Sequence, residues 1–421
     1  MKFKINAGEF VRSLNATFDV ATKCIAPGVD TENMITIKSD KDKIVATSYG
    51  GSASVITKIS NDFSTEMSYE SEESGEATFN AIIMMKSLQV FKGSDINVGL
   101  DSNQVILSLC DDEDFIQCVP TYDGSISIPP VADKFTKELS VNREILIEGI
   151  KKVQFAVGFA ETQRKYLCLI LRTTKTGMRF IAGSGGEFAI SDITGKGIST
   201  GKGEIIFPHL NLSNITAILS NSSDKNVEIK CAKKNDANNI PAQIVLKLKH
   251  STICLFKIDA AINYPDIDSV LDFDYPNKIS SNILEWKRSI AGIDAADLGN
   301  KGSDKVPNTE VKIDKKNEIL RIETKGELKS KSKVCIKSGD SSISDKEPWF
   351  KCNSKYLKNI TTKCGIDSGD IVINFENQQP PTGVNGKSHS IKPILINFPD
   401  NVNAGKSTTE SFKLFFIAST L

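Results

Sequence analysis

Lys4-Ile5-Asn6-Ala7-Gly8-Glu9-Phe10-Val11-Arg12-Ser13-Leu14-Asn15-Ala16-Thr17-Phe18-Asp19-Val20-Ala21 carries the pattern that decides the fold, a short strand running into an amphipathic helix. Phe10, Val11, Leu14, Phe18 and Ala21 recur at spacings of three and four, which puts them on one helical face. Asn6 with Glu9 makes a capping box at the helix start. The same pattern returns at Leu139-Ser140-Val141-Asn142 followed by Leu146, Ile150, Val153 and Val157. It returns again at Asn282 with Glu285, followed by Trp286, Ile290 and Ile293.

A second unit also occurs three times: a strand, an Asn- or Pro-initiated helix, a polar turn and an alternating strand. Its copies start at Glu76 to Asn80, at Glu204 to Pro208 and at Trp349 to Asn353. Copies recurring roughly 130 to 150 residues apart predict three domains of one fold, 1–134, 135–273 and 274–421. Between the helices the alternation has period two, as in the hairpins Val311 to Ile322 and Leu169 to Ala182, the second with Gly177 placed for its turn. The expected class is therefore α+β, with two helices laid on one side of antiparallel sheet in each domain. Gln378 to Lys392 and Asp400 to Ser411 are polar and read as long loops.

Composition narrows the function. The 421 residues include 39% hydrophobic and 25% charged residues, the balance of an ordinary globular protein. The charged start Met1-Lys2-Phe3-Lys4 and the lack of any long apolar run predict no signal peptide and no membrane partner, hence a cytoplasmic protein. Nine scattered cysteines without a CxxC pair read as reduced, buried thiols. Equal basic and acidic totals, 52 each, still allow a basic inner face and an acidic outer one. Gly386-Lys387-Ser388 and Gly405-Lys406-Ser407 lack the upstream glycine of a P-loop, since Pro381 and Asp400 stand there. The three histidines, His209, His250 and His389, are far apart, so no metal and no cofactor is expected. Asp111-Asp112-Glu113-Asp114 falls at a turn, where solvated charge is the simplest account. A metal-dependent hydrolase working through Asp111 or Asp114 is the rival reading from the enzyme class.

Several strings, taken in order, resemble the beta subunit of bacterial replicative DNA polymerase, the sliding clamp. They are Met1-Lys2-Phe3, Gln163-Arg164-Lys165-Tyr166-Leu167, Phe180 through Ile190, Asn263-Tyr264-Pro265-Asp266 with Val270-Leu271, and Asn353-Ser354-Lys355-Tyr356-Leu357. The resemblance spans essentially the whole chain. It implies a non-enzymatic processivity factor in which two chains close head to tail into a homodimeric ring around double-stranded DNA. The ring tethers the DNA polymerase catalytic subunit, and short motifs of polymerases and of a clamp loader dock on it.

By position against the family, the resemblance points to Lys23, Gln163, Arg164 and Lys165 as DNA contacts. It implies a peptide-binding pocket walled by Leu167, Gly185, Phe188, Pro265, Val270, Asn353, Tyr356, Phe415, Ile417 and Ser419. Ile116 and Ile293 are its candidates for apolar contacts at a dimer seam that pairs edge strands of the first and third domains. The chain departs from the family pattern at Gly183 to Phe188, where Glu187 replaces a basic side chain, and at the end Phe415 to Leu421. Both departures fall at the pocket. A clamp-fold scaffold that docks peptides without encircling DNA is the alternative.

Overall fold

Four of the helices start from a capping Asn that ends a strand. Asn6 is extended (φ −71°, ψ 124°), and its side-chain oxygen accepts from Gly8 N at 3.1 Å and Glu9 N at 3.3 Å. Asn80 does the same for Ile82 N and Ile83 N, Asn142 for Glu144 N and Ile145 N, and Asn282 for Leu284 N. A helix start leaves its first N–H groups without intrahelical acceptors, and these side chains supply them. The helices are α1 (Ala7–Lys23), α2 (Ala81–Val90), α3 (Arg143–Val153), α4 (Leu212–Asn221), the short α5 (Ile267–Leu271), α6 (Ile283–Gly299) and α7 (Ser354–Thr362).

The structure, a computed structural model, describes residues 1–24, 33–60, 69–112, 114–157, 168–183, 187–208, 212–232, 243–256, 267–299, 308–325, 330–362, 368–376, 393–398, 400–403 and 408–417. Its contacts form two units: Met1–Lys151 with Gly197–Asp259, and Lys152–Lys196 with Ala260–Leu421.

In the first unit one antiparallel path runs from Ser199–Thr200 through Phe135–Asn142, Asn226–Ala232, Gln243–Lys247 and Ser251–Phe256. It continues through Ala53–Ser60, Lys43–Tyr49, Met34–Ser39 and Gly75–Asn80, then Ile116–Tyr122, Gln104–Leu109, Asp95–Asp101, Lys2–Asn6 and Glu70–Glu73. Helix α1 packs on α2 and α4, and its apolar face is shut: Phe10, Leu14, Phe18 and Ala21 are buried among Phe3, Ile35, Phe79 and Phe91. Each such aromatic removed from water contributes about 1.5–3 kcal/mol.

In the second unit a sheet runs from Cys168–Thr173 through Gly177–Gly183, Glu187–Gly195 and Thr408–Ile417 to Pro393–Asn397, Asp370–Phe375, Asn277–Asn282 and Ser342–Ile343. A four-stranded sheet orders Lys331–Cys335, Ile319–Lys325, Asn308–Asp314 and Trp349–Asn353. Trp286 on α6 is fully buried and donates its indole N–H to Ser281 Oγ at 2.5 Å.

Four expectations are corrected. Part of Asp400 to Ser411 is strand: Asn401–Asn403 pairs with Thr408–Ile417, Asn401 facing Glu410. The polar composition hid this strand because its inward residues, Thr408 and Glu410, are buried polar groups. Glu410 is paired rather than solvated, with Ser191 Oγ donating to it at 3.1 Å and Lys152 Nζ at 3.4 Å. Gly177 is required by close approach and not by turn conformation: a Cβ there would lie 1.9 Å from Ile193 O. Glu285 does not serve the helix start; its Oε2 accepts from Cys335 N at 2.7 Å. Finally, Cys24, Cys231, Cys254 and Cys352 are buried thiols, but Cys118 and Cys335 are exposed. The loop expected at Gln378 to Lys392 lies outside the described residues.

Replacing Asn6 by Ala should lower stability by about 1 kcal/mol, read as a lower urea midpoint at unchanged slope. Burial, with Asp19 nearby, pushes the Cys24 thiol up to about 12, and burial alone raises Cys352. A maleimide at neutral pH should therefore label Cys118 first and reach Cys24 and Cys352 only on unfolding, because the thiolate is the nucleophile. Fast labelling of Cys24 in the native protein would contradict this burial.

Candidate functional site

The residues expected to wall a peptide pocket gather around the end of strand Thr408–Ile417 in the second unit. Phe188 faces Phe415 across the ladder with Glu187–Gly195, and Glu187 faces Phe416. The Phe188 ring is wholly buried over Gly183, where a Cβ would stand 2.1 Å from it, so only glycine fits opposite. Tyr356 on α7 is half-buried and stacks on Phe416, with ring centroids 5.6 Å apart and planes 21° apart. Helix α5, carrying the half-buried Val270, packs on Pro393–Asn397, the next strand of the same sheet. The arrangement offers an aromatic and aliphatic surface, the kind that buries a ligand's apolar side chains.

Two polar devices fix this surface. Glu187 is 2% exposed, and the Asn359 amide of α7 donates to both its carboxylate oxygens, at 2.9 and 2.7 Å. A buried carboxylate needs such donors, so the pair ties α7 to the sheet. Burial, with the Glu187 charge nearby, raises the Tyr356 phenol above its ordinary value and keeps it neutral. The second device holds α5. Arg179 grips Asp192 with two bonds, at 2.6 and 3.1 Å, and reaches Asp268 of α5 at 3.0 Å. Arg172 meets the other oxygen of Asp268 at 2.8 Å. Tyr275 closes the turn after α5 by donating to Val270 O at 3.1 Å, leaving Phe273 beside it 45% exposed.

Leu167, Gly185, Pro265 and Ser419 lie outside the described residues, as do the side chains of Asn353, Phe415 and Ile417. Of the expected DNA contacts, Gln163, Arg164 and Lys165 also lie outside them. Lys23 is exposed at the end of α1 and pairs with Asp19 at 2.6 Å. Of the seam candidates, Ile116 is 48% exposed beside Phe115 at 42%, whereas the Ile293 side chain lies outside the described residues. The sequence reading missed Asn359, Arg172, Arg179 and Asp268. The charged residues of the hairpin held a readable signal, since Arg172 faces Arg179 across it and both need an acidic partner.

Among the described residues the six longer helices carry ten basic and seven acidic residues in a chain whose total charge is zero, so these helices are mildly basic. Among the described residues no group of three or more His, Cys, Asp or Glu side chains comes together to hold a metal, and no helix is long and apolar enough to cross a membrane.

No protein-family model and no curated protein matches the sequence. Solved structures match over its whole length. The beta chain of DNA polymerase III from Streptococcus pneumoniae has a TM-score of 0.74 at 14% identity, covering 99% of each chain. The beta subunit of DNA polymerase from Streptococcus pyogenes gives 0.72 at 17%, covering 100% of each. The DNA polymerase sliding clamp from Bacillus subtilis gives 0.71 at 14%, covering 100% of this chain and 99% of that one. The chain therefore has the sliding-clamp fold, as the resemblance implied. More narrowly, it is the fold of the bacterial DNA polymerase III beta subunits, in a widely diverged sequence.

If Glu187 is held by Asn359, Asn359→Ala should cost about 1–3 kcal/mol. It should also loosen α7, seen as faster amide exchange from Ser354 to Thr362. Unchanged exchange there would show that α7 is held by its apolar contacts alone.

Proposed function

We propose that this chain is a DNA sliding clamp, a processivity factor and not an enzyme, with three tandem domains (1–134, 135–273 and 274–421) and two copies closing head to tail into a ring. One observation carries the reading beyond the shared fold: strand junctions of one kind occur twice within the chain and their third instance is unmade. Ser251–Phe256 pairs with Ala53–Ser60, and Thr408–Ile417 pairs with Glu187–Gly195. The places left over are the start of Ile116–Tyr122, whose end is taken by Gly75–Asn80, and the outer edge of Lys331–Cys335, and the two strands do not pair with each other among the described residues. A head-to-tail association uses such a leftover pair, and a closed ring of two chains leaves no edge exposed.

The mildly basic helices suit a pore lining that attracts phosphates without reading sequence. Lys23, Gln163, Arg164 and Lys165 are the proposed DNA contacts. Enclosure, rather than tight contact, then holds the protein on double-stranded DNA while it slides. The surface around Phe188, Val270, Tyr356 and Phe416 is the proposed docking pocket for short motifs of the polymerase catalytic subunit and the clamp loader. Glu187, buried where the family carries a basic residue, fits a pocket whose partner motif has diverged with it.

Loading the protein onto nicked circular DNA with its clamp loader, then linearising the DNA, tests the ring. The expected result is stable retention on circles and loss within minutes of linearisation at moderate salt. Equal retention on both forms would mean direct DNA binding. Failure to load, with peptide binding intact, would make the chain a docking scaffold.

A further inference from the structure

The sheet registers fix what would face what at the unmade junction. From the cap Asn6, the neighbours run Phe3 to Val98, Val98 to Leu107 and Leu107 to Gln117. From Asn142 they run Leu139 to Ile229, Leu246 and Ile253, and from Asn282 they run Ile279 to Ile373, Ile396 and Leu414. Gln117, Ile253 and Leu414 are therefore counterparts. Ile253 faces Val55, and Leu414 faces Ala189. From the cap Asn80, the path Phe79, Ile35, Ser48 leads to Val55. From Asn353 the same path, Cys352, Thr309, Thr324, leads to Ser330, whose carbonyl accepts from Thr324 N at 3.0 Å. Gln117 would thus face Ser330, Phe115 would face Ser332, and Asp114 would face Lys333.

Chemistry agrees with that register. Two residues beyond Val55, Ala189 and Ser330 stand Thr57, Ser191 and Ser332, a hydroxyl in each. Thr57 Oγ1 is 2.9 Å from Ser251 Oγ across the first junction, and Ser191 Oγ donates to Glu410 across the second. The Ser332 hydroxyl is buried with no hydrogen-bond partner among the described residues. The exposed Lys333 would face the exposed Asp114, and Phe115 and Ile116 are the exposed apolar residues beside Asp114.

Both edges are meanwhile covered by their own side chains. On Lys331–Cys335, Ile336 N donates inward to Glu318 O, so the odd-numbered residues turn their backbone outward. Those outward groups are the ones α6 holds: Ser289 Oγ donates to Lys333 O at 3.0 Å, and Glu285 accepts from Cys335 N at 2.7 Å. Opposite, Asp114 N donates to Asp112 Oδ1 at 3.1 Å. At the first junction the counterpart of Lys333, Lys58, instead donates its N–H to His250 O at 2.8 Å. There the counterparts of Glu285 and Ser289, which are Glu9 and Ser13, line a cavity with Lys249, His250 and Ser251.

We propose that the outer edge of Lys331–Cys335 is guarded: a second copy that pairs there, with Phe115 opposite Ser332 and Asp114 opposite Lys333, must first displace side chains of α6. Glu285 and Ser289 are guards on that edge, displaced when the second copy arrives. The inference rests on the ring reading and adds to it a register and a control. An unguarded edge invites any strand, whereas this one yields only to a strand that brings a carboxylate to Lys333 and a ladder to replace the side-chain bonds.

Two measurements test it, both in full-length protein. Phe115 and Ser332 would form a non-hydrogen-bonded pair, with Cβ atoms about 4.5–5.5 Å apart and within disulfide reach. Phe115→Cys with Ser332→Cys, in a Cys118→Ser, Cys335→Ser background, should oxidise to a species of twice the chain mass. Phe115→Cys with Lys333→Cys should not, and preferential cross-linking of that shifted pair would overturn the register. In sedimentation, Glu285→Ala should tighten the wild-type dimer roughly tenfold, the loss of one charge-assisted competitor. A weaker dimer would show that Glu285 holds the seam together, and an unchanged one that it guards nothing; either overturns the guard. A wild-type chain that stays monomeric at every concentration would instead remove the ring reading itself.

Discussion

A β-strand satisfies its backbone only when both of its edges are occupied, and the architecture follows from how this chain meets that demand. Two strands are taken up by strands from far earlier in the chain: Ser251–Phe256 along Ala53–Ser60, and Thr408–Ile417 along Glu187–Gly195. Sheet therefore continues where a chain of separate domains would present edges. At Lys331–Cys335 the demand is met provisionally, by a carboxylate and a hydroxyl from α6.

The second unit adds deeply buried charge to its apolar core. Its core contains Glu187 and Glu410, each 2% exposed and each with dedicated donors. Buried carboxylates seldom add net stability, but they penalise every arrangement that leaves them unpaired. Asn359 and Lys152 thereby locate α7 and the end of α3 on the sheet more strictly than leucines would. Tyr356 then sits on Phe416 in one defined place, as a recognition surface requires.

Much of the fold was legible in the sequence because the strand-to-helix turn has a strong local signature. Asn6, Asn80, Asn142 and Asn282 read as caps and are caps. Apolar helix faces such as Phe10, Leu14 and Phe18 read as core and are core. Where tertiary contacts override local pattern, the reading failed. Glu410 looked like loop because its partners, Ser191 and Lys152, lie more than two hundred residues away. Gly177 looked like a turn glycine, yet its need comes from the backbone of Ile193 on the next strand. Glu285 looked like part of a helix start and instead serves a distant strand. At the candidate pocket the aromatic members were legible, whereas the clamp of Arg172, Arg179 and Asp268 is a product of the folded hairpin.

The single path of strands in the first unit has a further consequence for how that unit comes apart. Phe135–Asn142 follows Ile116–Tyr122 closely in the chain, yet the two lie in different arms of the path, which meet where Ser251–Phe256 joins Ala53–Ser60. A proteolytic cut between Tyr122 and Phe135 would sever the peptide without touching that ladder, where Thr57 also meets Ser251. The two fragments would remain one particle until denatured. In this unit the sheet, rather than the peptide bond between repeats, is the mechanical link.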